Sequence, residues 1–356
     1  MAAEAFAALE PAEVMAWVEA QGLPAYRGTQ LLRWFYRSPA TSFEAMTNLP
    51  DELRRRLGAE FTFATLAPAV VRPADGGDTR KYLFRLADGE LLESVCMHYP
   101  RTATSSERTT LCLSTQVGCA VGCPFCATGL AGLQRNMTTA EVVDQVLAVQ
   151  RAEAAVGRRV SHLVYMGMGE PFNNLEATLG SVRRFCDPLA VGLGVRRVTV
   201  STSGVVPGIE ALAERGGGVN LAVSLHAPID EVRDALVPIN RKWPIARVLA
   251  AAEGYARRTG RRVSYEYVML RDRNDSLDLA ERLGALLAGR LAHVNLIPYN
   301  AIPGDPFQAT PEDHIQAFRR CVRRHGVECT VRDTRGREIE AACGQLRADA
   351  MQATAV

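Results

Sequence analysis

Residues 110–130 read TLCLSTQVGCAVGCPFCATGL. The first six are a short, largely apolar and β-prone run, the pattern of a strand. Directly after it come Cys119, Cys123 and Cys126 in C-x3-C-x2-C spacing, with Gly118, Gly122 and Pro124 between and beside them. Thiolates are the usual ligands of iron–sulfur clusters, and a [4Fe–4S] cube normally takes four of them. Three close cysteines hold three irons and leave the fourth open to a small chelating molecule. In this spacing the expected chelator is the amino and carboxylate end of S-adenosylmethionine (SAM). Glycines let the backbone wrap closely around the cluster. The plainer readings explain less. Three buried thiols in one turn leave the spacing without a reason, and a zinc knuckle lacks a nearby His or a fourth Cys. Cys112 is an alternative fourth ligand, although its strand position turns it toward the interior of the sheet.

Outward from this stretch, strand-like runs (110–115, 161–166, 196–201, 219–225, 262–269 and 292–297) alternate with helical ones such as 138–155, 174–187, 208–215 and 275–288. The pattern predicts an α/β fold, a parallel sheet with helices outside. Six βα units are too few for the closed eight-stranded barrel, so a partial (βα)6 barrel is expected. Upstream, residues 1–60 read as helices: one opening at Pro11, one over Arg27 to Tyr36, and one over 51–58 ended by Gly58. Residues 80–98 read as a β-hairpin around Asp88-Gly89. The expected organisation is a helical accessory domain (1–60), a hairpin and linker (61–105), the partial barrel (106–346) and a tail (347–356).

Ligands of such folds bind at the carboxyl ends of the strands. MGMGEP (166–171), STSG (201–204), SLHA (224–227) and Asn300 after IPY stand at those ends. Gly169 allows close backbone approach, Glu170 offers a carboxylate to an ammonium, and Ser201 and Ser224 offer hydroxyls. His226 is either a ligand-facing group or a satisfied structural imidazole. Asn300 suits a ribose or a carboxylate.

The composition is that of an ordinary globular chain: 356 residues, 47% hydrophobic and 22% charged, with a mean hydropathy of −0.04. No apolar run approaches the ~18 residues of a membrane span, and the amino terminus has no basic region before an apolar core. A cytoplasmic location is therefore expected, with no membrane partner. Nine cysteines in a reducing compartment point to metal binding or catalysis rather than to a disulfide framework. A net charge of +2 decides nothing about nucleic acid. The arginine clusters read first as solvated faces. Arg27, Arg33, Arg37 and Arg54 to Arg56 are the first candidates for RNA contact.

At this point the chain resembles a known family, the radical-SAM ribosomal RNA adenine-C2 methyltransferases (RlmN), with the Cfr C8-methyltransferases as close relatives. The resemblance rests on RGTQLLRWFY, FEAMTNLP, LCLSTQVGCAVGCPFCATG, MGMGEP, RRVTVSTSGVVPGI, LAVSLHAP, NLIPYN and EIEAACGQL, which together run over nearly the whole chain. It implies that Cys119, Cys123 and Cys126 hold the cluster, and that Gly169, Glu170, Ser201, Ser224, Leu225, His226 and Asn300 line the SAM site. It further implies that Cys343 carries a methyl group, that Cys112 is the second catalytic cysteine, and that Glu93 is a proton acceptor. Cys112 is available for the same proton.

The implied substrates are 23S ribosomal RNA, at the peptidyl transferase centre, and transfer RNA, at the adenosine after the anticodon. Two SAM molecules would be used per turnover. One methylates Cys343 by displacement. The other is cleaved to a radical that activates the S-methyl group for addition to C2, after which Cys112 takes the C2 proton and closes on Cys343 as a disulfide. A one-electron reductant such as flavodoxin or ferredoxin is implied as a partner. C8 methylation, and a non-catalytic iron–sulfur RNA-binding protein, are the alternatives.

Overall fold

The computed structural model describes residues 3–38, 40–103, 105–302 and 304–346; the expected tail, 347–356, lies outside the described residues. Its central sheet has ten strands among those residues, and neighbours in the chain are neighbours in the sheet. They are β1 (Leu66–Ala74), β2 (Thr79–Leu86), β3 (Leu91–Tyr99), β4 (Arg108–Cys112), β5 (His162–Tyr165), β6 (Val198–Thr202), β7 (Asn220–Ser224), β8 (Val263–Met269), β9 (Ala292–Pro298) and β10 (Glu328–Val331). From β4 onward every pairing is parallel; β1 to β4 pair antiparallel. All six strands expected for the barrel are present, and β10 adds a seventh parallel strand that its four residues did not announce.

The hairpin forms as expected, β2 turning into β3 with Gly89 at φ +91°. It is more than a linker, because β3 pairs with β4 and continues the barrel sheet. Cys112 lies opposite Val95 on one side and Val164 on the other, so it marks the seam between the antiparallel and parallel halves.

Helices fill the crossovers. After the helical domain, α1 (Pro11–Ala20), α2 (Ala25–Arg37) and α3 (Asp51–Glu60), come α4 (Thr139–Ala154), α5 (Leu175–Cys186), α6 (Val206–Arg215), α7 (Asp230–Leu236), α8 (Ile245–Thr259), α9 (Leu277–Leu287) and α10 (Glu312–Arg324). Helix α3 runs on to Glu60 instead of ending at Gly58, because a single glycine costs only ~1 kcal/mol inside a helix and buried Leu53 and Leu57 hold the turn down. Helix α4 opens with a capping box in which Thr138 and Glu141 satisfy each other's backbone amides.

The helical domain needs a neighbour to cover it, and the barrel supplies one. Its own core is an edge-on cluster of phenylalanines, with Phe6 and Phe35 centroids 4.6 Å apart and Phe43, Phe61 and Phe63 around them. Each such pair adds ~0.5–1.5 kcal/mol beyond area burial. Buried Asp144 on α4 accepts from the Thr65 amide and hydroxyl, both at 2.7 Å, and Gln150 donates to the Tyr36 carbonyl at 3.2 Å.

The arginines expected to meet RNA make contacts within the chain, and Arg55 and Arg56 stay exposed. Arg37 donates to the carbonyls of Ala190 and Pro188. Arg54, Arg55 and Arg56 pair with Asp51 and Glu52 on their own helix. Arg27 spans Gln30 and the Tyr26 ring. No helix among the described residues is long and apolar enough to cross a membrane.

Candidate active site

The cysteine loop leaves β4 through a short antiparallel ribbon, Gln116–Gly118 against Leu133–Asn136. Gly118 has φ +77°, and a Cβ there would run into the Gly132 carbonyl, so only glycine closes this ribbon. The Cys119 amide donates to Gly132 O at 2.9 Å and the Cys126 amide to Cys123 O at 3.2 Å.

The three cysteines line one cavity together with Gly169, Glu170, Ser201, Ser224, His226 and Asn300. Leu225 does not join them. Its side chain is fully buried in the core, and its carbonyl accepts from Arg233 at 2.9 Å.

Burial pushes all three thiols up, Cys119 to about 12, and the neighbouring sulfurs add to the effect at Cys123. The shell behind them is apolar: Val121, Phe125, Val237, Val268 and Tyr299. The Tyr299 hydroxyl is buried on the cavity wall with no hydrogen-bond partner among the described residues. Among the described residues no three His, Cys, Asp or Glu converge tightly enough for one metal ion. Three thiols lining one cavity supply donors for three corners of a cluster. Metal binding would replace protons that burial otherwise forces these sulfurs to keep, and the donor set therefore fits a [4Fe–4S] cluster.

The strand ends are tied together through polar side chains. Glu170 is buried. One carboxylate oxygen accepts from the Ser203 amide at 2.6 Å and hydroxyl at 2.7 Å, and the other from the Phe172 amide at 3.1 Å. Burial raises its pKa and the Ser203 bonds oppose the rise. Gly169 has φ +99°, and a Cβ would lie 2.6 Å from Gln116 Cβ. His226 has φ +58°, and its Nδ1 accepts from the Val268 amide at 3.0 Å. Burial, then the Arg233 charge, lowers its pKa to about 3. The ring is therefore neutral with its proton on Nε2. It fills the structural role weighed for it and still lines the cavity.

Sequence reasoning passed over Arg233, a fully buried guanidinium on α7. It donates to the carbonyls of Leu225, Ser203 and Ser224 and to Asn240 Oδ1 at 2.6 to 3.1 Å. A buried arginine thus fastens two strand ends.

Cys343 reaches the same cavity from the far end of the chain. The segment carrying it is strapped to the cysteine loop: the Ala127 amide donates to Gly344 O at 2.8 Å and the Thr128 hydroxyl to Leu346 O at 2.6 Å. Cys343 also lines a second, adjoining cavity with Cys112, Val95, Met97, Asn300 and Arg332. Cys112 thus belongs with Cys343 rather than with the cluster loop. Burial pushes its thiol up to about 12, and Cys343 adds to the rise. All nine cysteines are free thiols, and Cys96, Cys321 and Cys329 are buried.

Glu93 lies on neither cavity wall. It is fully buried two residues before Val95, 3.0 Å from Lys81 Nζ, and Lys81 reaches the Glu340 carbonyl at 3.4 Å.

Residues 113–283 match the model of the radical SAM superfamily, and residues 6–62 match that of the ribosomal RNA large subunit methyltransferase N-terminal domain. The chain is 49% identical over 351 residues to a probable dual-specificity RNA methyltransferase RlmN of Rhodococcus erythropolis, covering 96% of this chain and 94% of that one. It is equally identical, over 347 residues, to the protein of the same name from Thermobifida fusca, covering 96% and 93%. A crystal structure of a radical SAM methyltransferase from Sphaerobacter thermophilus superposes with a TM-score of 0.92 at 47% identity, covering 97% of this chain and all of that one.

Proposed function

Because this chain belongs to the RlmN family of radical-SAM RNA methyltransferases, we propose that it methylates C2 of an adenosine in 23S ribosomal RNA, at the peptidyl transferase centre. The same reaction is proposed at the adenosine 3′ of the anticodon in transfer RNA, in keeping with the dual specificity of its relatives. One observation carries the reading: Cys343 lines both the cavity of the three cysteines and the cavity of Cys112.

Adenine C2 is an electron-poor amidine carbon and does not attack a sulfonium methyl. The methyl must first rest on a better nucleophile, and a thiolate is one. Cys343 stands where SAM bound at the cysteine loop would meet it. The bound cluster would supply the electron that splits the sulfonium of a second SAM. A hydrogen atom of the Cys343 S-methyl group passes to the adenosyl fragment so formed, its carbon bonds C2 across the shared wall, and the bound cluster would take back the odd electron of the adduct. Cys112, in the second cavity, takes the C2 proton and closes onto Cys343 as a disulfide, which releases the methylated base. A thiol pool restores the pair. Glu93 is an alternative proton acceptor only if its buried ion pair with Lys81 opens. The target adenosine must leave its stack to reach so enclosed a pair of thiols.

Anaerobic reaction of reconstituted protein with SAM, dithionite and in vitro transcribed RNA, followed by nucleoside mass spectrometry, tests this reading. 2-Methyladenosine is expected. 8-Methyladenosine would reassign the carbon, and absence of both methyladenosine and deoxyadenosine would make the chain a non-catalytic iron–sulfur RNA-binding protein.

A further inference from the structure

Beyond Cys112 the face of the sheet turns basic. On β4, Cys112, Thr110 and Arg108 alternate onto one face, and on β3 Val95, Met97 and Tyr99 stand opposite them in that order. The column begins in the second cavity, lined by Val95, Met97 and Cys112. It ends about 14 Å along the strand, at Arg108 and Tyr99. There one aromatic ring carries two cations. The Arg108 guanidinium lies 4.2 Å from the Tyr99 ring centroid, and that of Arg335 4.4 Å from it. Arg335 also lines the second cavity beside Cys112 and Cys343, so the stack belongs to the rim of that cavity.

The two arginines are held differently. Arg335 donates from Nη1 to His98 O at 3.1 Å, and its Nε is 3.4 Å from Asp333 Oδ2. Arg108 is exposed; among the described residues no carboxylate pairs with it and no acceptor takes its N–H groups. Stacking fixes the plane of a guanidinium and leaves its donor edge free. The edge of Arg108 is therefore oriented and unengaged, which suits a phosphate. Arg197 adds to the same field, since Arg108 and Arg197 both reinforce burial in lowering the pKa of His162. The acids nearby are turned elsewhere: Glu107 faces His98, and Asp333 faces Arg335.

We infer that the Arg108–Tyr99–Arg335 stack is a contact site for the RNA backbone, its guanidiniums binding the phosphates next to the adenosine whose base enters the second cavity. This rests on the proposal that the adenosine meets Cys112 and Cys343 there. A base that enters edge-first leaves its sugar and phosphates outside. Phosphate contacts position a nucleotide without reading its sequence, so one stack serves ribosomal and transfer RNA alike.

The test is the affinity of the reconstituted full-length protein for a dye-labelled transcript of a transfer RNA anticodon stem–loop, read by fluorescence anisotropy over a series of salt concentrations. Each phosphate contact in a single strand contributes about 0.7 to the slope of log affinity against log salt. Arg108→Met should lower the slope by about that amount and weaken binding about tenfold at low salt, the gap closing about fivefold per tenfold rise in salt. Arg108→Lys should keep the wild-type slope. Tyr99→Leu, which removes the ring and keeps both charges, should weaken binding with the slope unchanged. A merely structural role would weaken binding equally at every salt concentration. Iron content and visible absorbance identify variants that fail to assemble, and if Arg108→Met is one of them, the slope of Arg335→Met carries the decision. A wild-type slope in Arg108→Met overturns the assignment. So does a slope that falls in Arg55→Met and not in Arg108→Met, which places the RNA on the helical domain. Methyladenosine formed on the same transcript separates the two levels: if wild type forms none, the proposed reaction falls and the inference with it; if it forms and the slope does not move, the role of the stack alone falls.

Discussion

The two cavities share Cys343 but are assembled by opposite means. The first is built at strand ends in the middle of the chain, from a glycine-rich cysteine loop and serines tied by Glu170 and Arg233. The second sits against the face of the sheet, where β3 and β4 present Val95, Met97 and Cys112 to the segment that returns with Arg332 and Cys343. A cavity at strand ends is the common ligand site of open α/β folds and explains a radical source. It does not explain where the radical is spent. On the proposed mechanism the choice of reaction resides in the second cavity, and the strap of residues 343–346 over the cysteine loop ties the two together.

Removing the shared source should have the largest effect. Cys119→Ala, Cys123→Ala and Cys126→Ala are each expected to lose the brown chromophore and iron, with RNA methylation falling at least ~10³-fold. Cys343→Ala separates the cavities: the chromophore and SAM cleavage stay while RNA methylation is lost, as read by absorbance, deoxyadenosine and methyladenosine on one sample. Retained methylation would place the carrier elsewhere.

Smaller effects sharpen the contrast inside the first cavity. Gly169→Ala puts a Cβ against Gln116 at a positive φ. It should cost about 1–3 kcal/mol by urea titration and raise the KM for SAM, while leaving alkylation of Cys112 unchanged. His226→Ala removes the acceptor of the Val268 amide and should cost about 1–3 kcal/mol at neutral pH. The sign of its pH dependence follows from a folded-state pKa lowered from 6.5 to about 3. The stabilisation is full above about 6.5 and is lost as pH falls toward 3, so wild type and variant should converge on the acid side. Outside both cavities, Arg55→Ala breaks an exposed pair with Glu52 and should change stability by less than about 0.5 kcal/mol.

What the sequence made legible follows from how each feature is encoded. The cysteine triplet and the alternating strands are local patterns. Strand β1 was not read because Pro68 and Pro73 argue against a strand; as the edge of the sheet, with a bulge between Pro68 and Val70, it tolerates both. Strand β10 is four residues, too short for an alternation to show. Arg233 and Arg332 carry no periodic signal, and arginine reads as surface until a fold surrounds it. The catalytic roles of Cys112 and Cys343 entered through resemblance alone; the residues themselves offered Cys112 only as an alternative fourth ligand. Their shared cavity is a tertiary fact that neither residue's surroundings in the chain disclose.

The most direct measurement mixes Cys112→Ala enzyme, reconstituted anaerobically, with SAM, reductant and RNA, and digests the product for mass spectrometry. If Cys343 carries the carbon from one cavity and Cys112 releases it in the other, the peptide containing Cys343 should retain a covalently bound adenosine. Free enzyme together with methylated RNA would contradict the division of labour between the two cavities.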